Sequence, residues 1–308
     1  MSYLVIGAGS IGRRHQANLT ALGANSELLG WRGLSLDTLD LTGVTGLVVA
    51  TATSVRLEVI AKAADAGIPL YIEKPLVFRA GDLAEVQRLT APVADRSVLG
   101  LMMRYHPAIR DLHADPIAAY NARFVIGHDV RQWRENWVFA DSYAAEAEGG
   151  GVLLDLCHEL DIAHVLCPDL HLDTVDCIGH GAFPGVDFAT EIRLTGPGCL
   201  ASVAMDYLAP QGMRRLALTG RDDMVEIDLL SNTGSRWRAG HQETLSWDHD
   251  RNDMFLGLMR DFMALAEGRA PSDNPLLPRL SDAWDSAALT VAAWSARQFQ
   301  ATLTGDFA

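Results

Sequence analysis

The 308 residues suffice for two ordinary domains, and a 49% hydrophobic share supplies apolar side chains for two cores. A formal net charge of −14, from 39 acids against 25 bases, repels phosphate backbones and anionic lipid headgroups, which argues against nucleic acid and membrane partners. The longest apolar stretches, such as residues 46–52, fall far short of the roughly 20 residues a membrane span needs.

In chain order, Leu4-Val5-Ile6 reads as a first strand; it lacks the basic flank of a signal peptide, so the mature chain is expected to begin at Met1. Residues 15–22 read as a helix, Glu27-Leu28-Leu29 and residues 46–52 as strands, 55–66 as a helix ended by Gly67, 69–72 as a strand, 81–89 as a helix and 97–102 as a strand. Strands alternating with crossovers imply a doubly wound parallel sheet. The segment from Arg32 to Val44 is short for a crossover, so its helix is expected to be stunted or missing.

After residue 118 the pattern changes. Residues 121–126, 174–179, 189–194, 200–207, 215–220 and 224–229 read as consecutive strands, several alternating apolar and polar, which implies a large open, mostly antiparallel sheet. Residues 251–268 and 281–301 read as helices. The fold expected is thus an α/β Rossmann domain over 1–118 followed by an α+β domain over 119–308. Four widely spaced cysteines, Cys157, Cys167, Cys177 and Cys199, form no Cys-x-x-Cys and read as reduced thiols in a cytoplasm.

Gly7, Gly9 and Gly12 form G-x-G-x-x-G directly after a strand and before a helix, the context that gives this motif its meaning. Gly7 permits a tight turn, Gly9 lets the backbone approach a pyrophosphate, and Gly12 lets helix and strand pack closely. The residue that reads the adenosine ribose falls near Gly30-Trp31-Arg32. No carboxylate is available there for ribose hydroxyls, whereas the Arg32 guanidinium suits a 2′-phosphate, so the cofactor expected is NADP or NAD, with a lean to NADP.

The run from Gly7 to His15, Ala50-Thr51-Ala52-Thr53, Glu73-Lys74-Pro75-Leu76 and Gly149-Gly150-Gly151-Val152-Leu153-Leu154-Asp155 together resemble the Gfo/Idh/MocA oxidoreductases, and Asn252-Asp253-Met254-Phe255 extends the likeness almost end to end. The resemblance implies a cofactor site of Gly7, Gly9, Ser10, Ile11, Gly12, Arg32, Thr51, Thr53, Glu73 and Lys74. In it Lys74 reaches nicotinamide ribose and substrate. The chemistry agrees, since hydride loss from a carbinol needs a group to take the hydroxyl proton. The proline after it restricts Lys74 to an extended conformation.

In Asp155-Leu156-Cys157-His158-Glu159-Leu160-Asp161, a continuous helix would put Asp155, His158 and Asp161 on one face. A carboxylate beside an imidazole fixes its tautomer and raises its basicity, so Lys74, His158 and Asp155 are the expected catalytic residues. Relatives commonly carry one more residue between the aspartate and the histidine, and they often place histidine where this chain has Arg56. His158, Asp161 and His164 at three-residue spacing lack a supporting ligand cluster, so no metal is expected. Arg104-Tyr105-His106-Pro107, Trp133-Arg134 and Tyr143 resemble a subgroup often encoded beside genes for acidic sugars and surface glycans. Arg104, Tyr105, Trp133, Tyr143 and Asp161 are the expected substrate contacts.

The activity expected is hydride transfer between NAD(P) and a secondary alcohol of a sugar, nucleotide sugar or cyclitol, in a homodimer or homotetramer formed through the second-domain sheet. The rivals are an NAD-dependent glycosidase of the same fold and a non-catalytic NADP-binding or sensing protein.

Overall fold

A computed structural model describes residues 2–132, 138–305 and 307. The chain forms two compact units: residues 1–106 with 250–288, and residues 107–249 with 289–308. This differs from a single cut at 118/119, because the 250–288 segment packs into the core of the first unit.

The first unit runs β1 (Ser2–Ile6), α1 (Ser10–Ala21), β2 (Asn25–Leu29), β3 (Val44–Val49), α2 (Arg56–Asp65), β4 (Leu70–Ile72), α3 (Ala80–Thr90) and β5 (Val98–Leu99). All five strands are parallel in the order β2-β1-β3-β4-β5, the doubly wound half-sheet the alternation implies. Its central strands are buried on both faces and read as apolar runs such as Leu47-Val48-Val49. No helix forms between β2 and β3, in line with the short crossover.

The second unit opens with α4 (Pro107–Ala114) and β6 (Asn121–Gly127), then α5 (Val152–Asp155) and α6 (His158–Leu166). There follow β7 (His171–His180), β8 (Phe183–Gly196), β9 (Cys199–Asp206), β10 (Met213–Thr219), β11 (Asp223–Asp228), β12 (Thr233–Arg238) and β13 (His241–Ser246). The chain then supplies α7 (Arg251–Ala266) to the first unit, α8 (Trp284–Ser295), and β14 (Gln298–Leu303) on the edge of the second. The nine-stranded sheet has the order β13-β12-β11-β10-β6-β9-β8-β7-β14 and is antiparallel except for β6 with β9 and β7 with β14. Along β8, buried Phe188, Thr190, Ile192 and Leu194 alternate with more exposed residues; β8 meets α5, and α6 lies against β6 and β9.

Two expectations need correction. The helix expected over 281–301 stops at Ser295, and Phe299, Ala301 and Leu303 alternate with polar residues as β14. The hairpin β12–β13 was missed; it turns on Ala239-Gly240, both at positive φ, the pairing a two-residue hairpin loop requires.

The core of the first unit explains why α7 belongs to it. Asp250 caps the helix, its carboxylate accepting from Asn252 N at 2.7 Å while Asp253 accepts from Asp250 N at 3.0 Å. One face then buries Phe262, whose ring stands edge-on to Tyr3 at 6.1 Å and to Tyr71 at 5.8 Å. Gly46 makes room for it: a Cβ there would lie 2.9 Å from the Phe262 ring.

Candidate active site

In the first unit, the chain leaves β1 and turns on Gly7 at φ +116°, which side-chain-bearing residues rarely adopt. Its N–H donates to the Leu29 carbonyl at 2.8 Å, and a Cβ on Gly7 would lie 2.4 Å from the Ala50 carbonyl oxygen. A Cβ on Gly12 would fall 1.7 Å from the Gly7 carbonyl oxygen. Gly9 differs: its φ is an ordinary −72°, and a Cβ there would meet nothing within 4 Å. The protein's own packing therefore demands two of the three glycines, and the third leaves open space before α1.

That helix N-terminus is suited to an anion. Its first turn holds no acidic residue and its cap offers no side-chain acceptor, so its N–H groups and dipole face outward. Ser10 is exposed and Ile11 half-buried in that turn. Arg32 is exposed in the loop after β2. Thr51 is buried just past β3, and Thr53 begins a short 3-10 turn into α2.

Glu73-Lys74-Pro75 follows β4, with Lys74 half-buried. The Glu73 carboxylate is turned inward: Oε1 lies 2.6 Å from His15 Nε2, and Oε2 accepts from Lys74 N at 3.2 Å. Burial alone raises this carboxyl. The His15 hydrogen bond and the charges of His15, Lys74 and Arg56 outweigh burial and hold it below its ordinary 4.5. The His15 ring also packs on Tyr71, 4.6 Å between centroids. Arg56, 2% exposed at the start of α2, donates to the carbonyls of Thr51 (2.8 Å), Glu73 and Pro75.

Arg104 and Tyr105, expected to face substrate, are both engaged within the first unit. Arg104 is buried, donates to Ser286 Oγ at 3.1 Å and has its carbonyl bonded by Asn274. The Tyr105 hydroxyl donates to Asp261 Oδ2 at 2.5 Å, and its ring packs over Gly257.

In the second unit, Asp187 accepts from Leu153 N at 2.9 Å and so fixes the start of α5. Asp155 ends α5 and His158 begins α6, so the continuous helical face assumed from sequence is broken at Leu156-Cys157. Asp155 accepts from Tyr143 Oη at 2.7 Å on one oxygen and from Tyr207 Oη at 2.6 Å on the other. Tyr207 is fully buried, and burial with the nearby Asp155 charge holds its hydroxyl protonated, well above the ordinary range. Tyr143 is 43% exposed, so its ring reaches solvent while its hydroxyl rests on a buried carboxylate.

His128, just past the end of β6, has its ring 6.0 Å from that of Tyr207; burial lowers its pKa against the opposing charges of Asp155, Asp129 and Asp206. His158, Glu159 and Asp161 are all buried on α6, and Glu159 pairs with Arg214 at 2.5 Å. Trp133 lies outside the described residues. Among the described residues no group of three or more His, Cys, Asp or Glu side chains is arranged to hold a metal ion, and no helix is long and apolar enough to cross a membrane.

The sequence reading missed His15, Arg56 as a carbonyl clamp, and Tyr207. Only His15 carried a local signal: with Gly12 and Leu19 it lies on the stripe of α1 that faces the sheet, an odd place for an imidazole without a partner.

No protein-family model matches the sequence. Among curated proteins, the chain is 26% identical over 249 residues to the UDP-N-acetylglucosamine 3-dehydrogenase of Acidithiobacillus ferrooxidans, covering 74% of each chain. It is also 26% identical over 179 residues to the rhizopine catabolism protein MocA of Rhizobium meliloti, covering 51% of this chain and 54% of the relative. The solved structure of the Acidithiobacillus enzyme superposes with a TM-score of 0.72 at 21% identity, covering 96% of this chain and 99% of that one. An inositol dehydrogenase homologue from Azotobacter vinelandii, solved with NAD+, gives 0.76 at 14% identity, covering 96% and 95%.

Proposed function

We propose that this chain, which resembles the Gfo/Idh/MocA oxidoreductases in sequence motifs and fold, moves hydride between a nicotinamide dinucleotide and a hydroxyl-bearing carbon of a sugar, nucleotide sugar or cyclitol. The observation that carries this is the tether between the glycine turn and the lysine loop. His15 on α1 holds Glu73, and Glu73 immediately precedes Lys74, so one sheet sets both the anion cradle and the amine.

The residues fit a dinucleotide. Gly9 leaves space for a pyrophosphate before α1, Ser10 and Ile11 offer the first-turn N–H groups, and Thr51 and Thr53 line the next strand end. Arg32, with no carboxylate beside it in Gly30-Trp31-Arg32, favours the 2′-phosphate of NADP. The bound cofactor supplies the hydride chemistry, and the protein supplies position and proton handling.

Lys74 takes or returns the hydroxyl proton in this reading; within the second unit His158, with Asp161 on the same helix, is the candidate proton carrier. Asp155, held by Tyr143 and Tyr207, sets the position of the α5–α6 junction. A nucleotide sugar is the first substrate to try, because one relative, matched over 74% of this chain, is a dehydrogenase of one. The exposed face of the nine-stranded sheet is the contact through which a second copy would associate.

The test is nicotinamide absorbance during turnover with UDP-N-acetylglucosamine, keto sugars and inositols, using wild type, Lys74→Ala and His158→Ala. Net absorbance change in wild type, with loss of turnover but retained cofactor in both variants, supports the reading. Sugar conversion without net change favours the glycosidase, and cofactor binding with no conversion across the panel favours the sensor.

A further inference from the structure

Arg56 is the least expected feature of the first unit. A guanidinium 2% exposed gives up its hydration and must find acceptors. Here it finds three main-chain carbonyls: Thr51 beyond β3, and Glu73 and Pro75 on either side of Lys74. The charge of Glu73 lies close enough for Arg56 to contribute to its lowered pKa.

The surrounding bonds leave the lysine little freedom in its main chain. Glu73 N donates to Val49 O at 3.0 Å, Lys74 N is held by the Glu73 carboxylate, and Arg56 takes the carbonyls before and after it. A planar fork with five N–H donors reaches acceptors over a wider span and in a more fixed geometry than the three donors of an ammonium or the two of an imidazolium.

We propose that Arg56 is a positioning residue for Lys74: by clamping the carbonyls on both sides of it to the end of β3, the guanidinium fixes the direction in which the ε-amine leaves the backbone. The proposal rests on the role given to Lys74 above. Arg56 itself touches no reacting atom in it.

The chain's composition offers a direct test. Of its 25 basic residues, only Lys62 and Lys74 are lysines, and Lys62 lies on α2 with Arg56. Limited acylation followed by peptide mass spectrometry therefore compares two ε-amines, with Lys62 as internal reference. In Arg56→Ala the acylation rate of Lys74 relative to Lys62 is expected to rise as the amine leaves its fixed direction, while that of Lys62 itself is unchanged.

With a sugar that wild type oxidises, kcat is expected to fall about a hundredfold, as displacement of a reacting group by about 1 Å allows. Cofactor stoichiometry should stay at the wild-type value, the sugar KM should barely move, and Arg56→Lys should recover part of the loss. Where Arg56→Ala does not fold, Arg56→Gln carries the same readings, with Arg56→Lys as the partial rescue. Acylation of Lys74 at the wild-type rate in a folded variant overturns the proposal. A wild type that exchanges no hydride with any sugar defeats the functional reading, and the acylation comparison still decides for or against the clamp.

Discussion

His15 Nε2 and Glu73 Oε1 lie 2.6 Å apart although 58 residues separate them, and both side chains are buried. The pair joins the helix that begins at the glycine turn to the loop that carries Lys74.

His15→Ala should therefore strand a buried carboxylate and cost about 2–5 kcal/mol of stability. Adding Glu73→Gln should recover part of that, because a neutral amide tolerates burial better. Thermal unfolding of the two single variants and the double variant measures the coupling; additive losses would show that the contact contributes nothing.

The same pair sets an acid limit. The Glu73 carboxyl is held below 4.5 in the folded protein, so its contribution is fully present above that pH and is lost as pH falls through the lower folded value. Wild type should lose stability across that window more steeply than Glu73→Gln. Denaturant midpoints measured from neutral pH downward would reveal it, and parallel curves would contradict it.

The glycines should separate by role. Gly12→Ala drives a Cβ against the Gly7 carbonyl and should destabilise by about 3 kcal/mol or more. Gly9→Ala meets no protein atom, so the fold should persist or gain about 0.4–1 kcal/mol, while dinucleotide affinity drops. Melting temperature and fluorescence titration with NADPH distinguish the two. Undiminished affinity in Gly9→Ala would place the pyrophosphate elsewhere.

Arg32→Ala should weaken NADP far more than NAD, since only the former carries the 2′-phosphate. Equal losses for both, measured by titration, would make Arg32 an ordinary surface charge.

Tyr207→Phe removes one of the two phenols that hold Asp155 and should cost about 1.5–3 kcal/mol, the range for a hydrogen bond to a charged group. Tyr143→Phe acts at a half-exposed ring, so its stability loss should be smaller and its effect on turnover larger. Chemical denaturation and steady-state rates on both variants check the ordering.

What the sequence revealed depended on how local each constraint was. The glycine turn was legible because a positive φ at Gly7 and close backbone approach at both Gly7 and Gly12 leave a single residue type. The second-unit strands from β6 to β11 were legible through alternation. His15 with Glu73 and Arg56 with Pro75 were not, since each joins segments brought together only by the parallel sheet. Asp155 and His158 were misplaced on one helical face because nothing local announces the break at Leu156-Cys157. β14 was read as helix because the apolar run of α8 masks the change to a two-residue period at Phe299.

The first unit is assembled from two stretches of chain, and its core includes the Phe262 ring from the second. During synthesis from the N-terminus, β1 to β5 emerge long before that ring, and Tyr3 and Tyr71 must wait for it with apolar surface uncovered. The nascent chain thus needs protection from self-association until α7 has left the ribosome, and stopping synthesis at residue 106 should yield an aggregation-prone fragment instead of a working nucleotide-binding half.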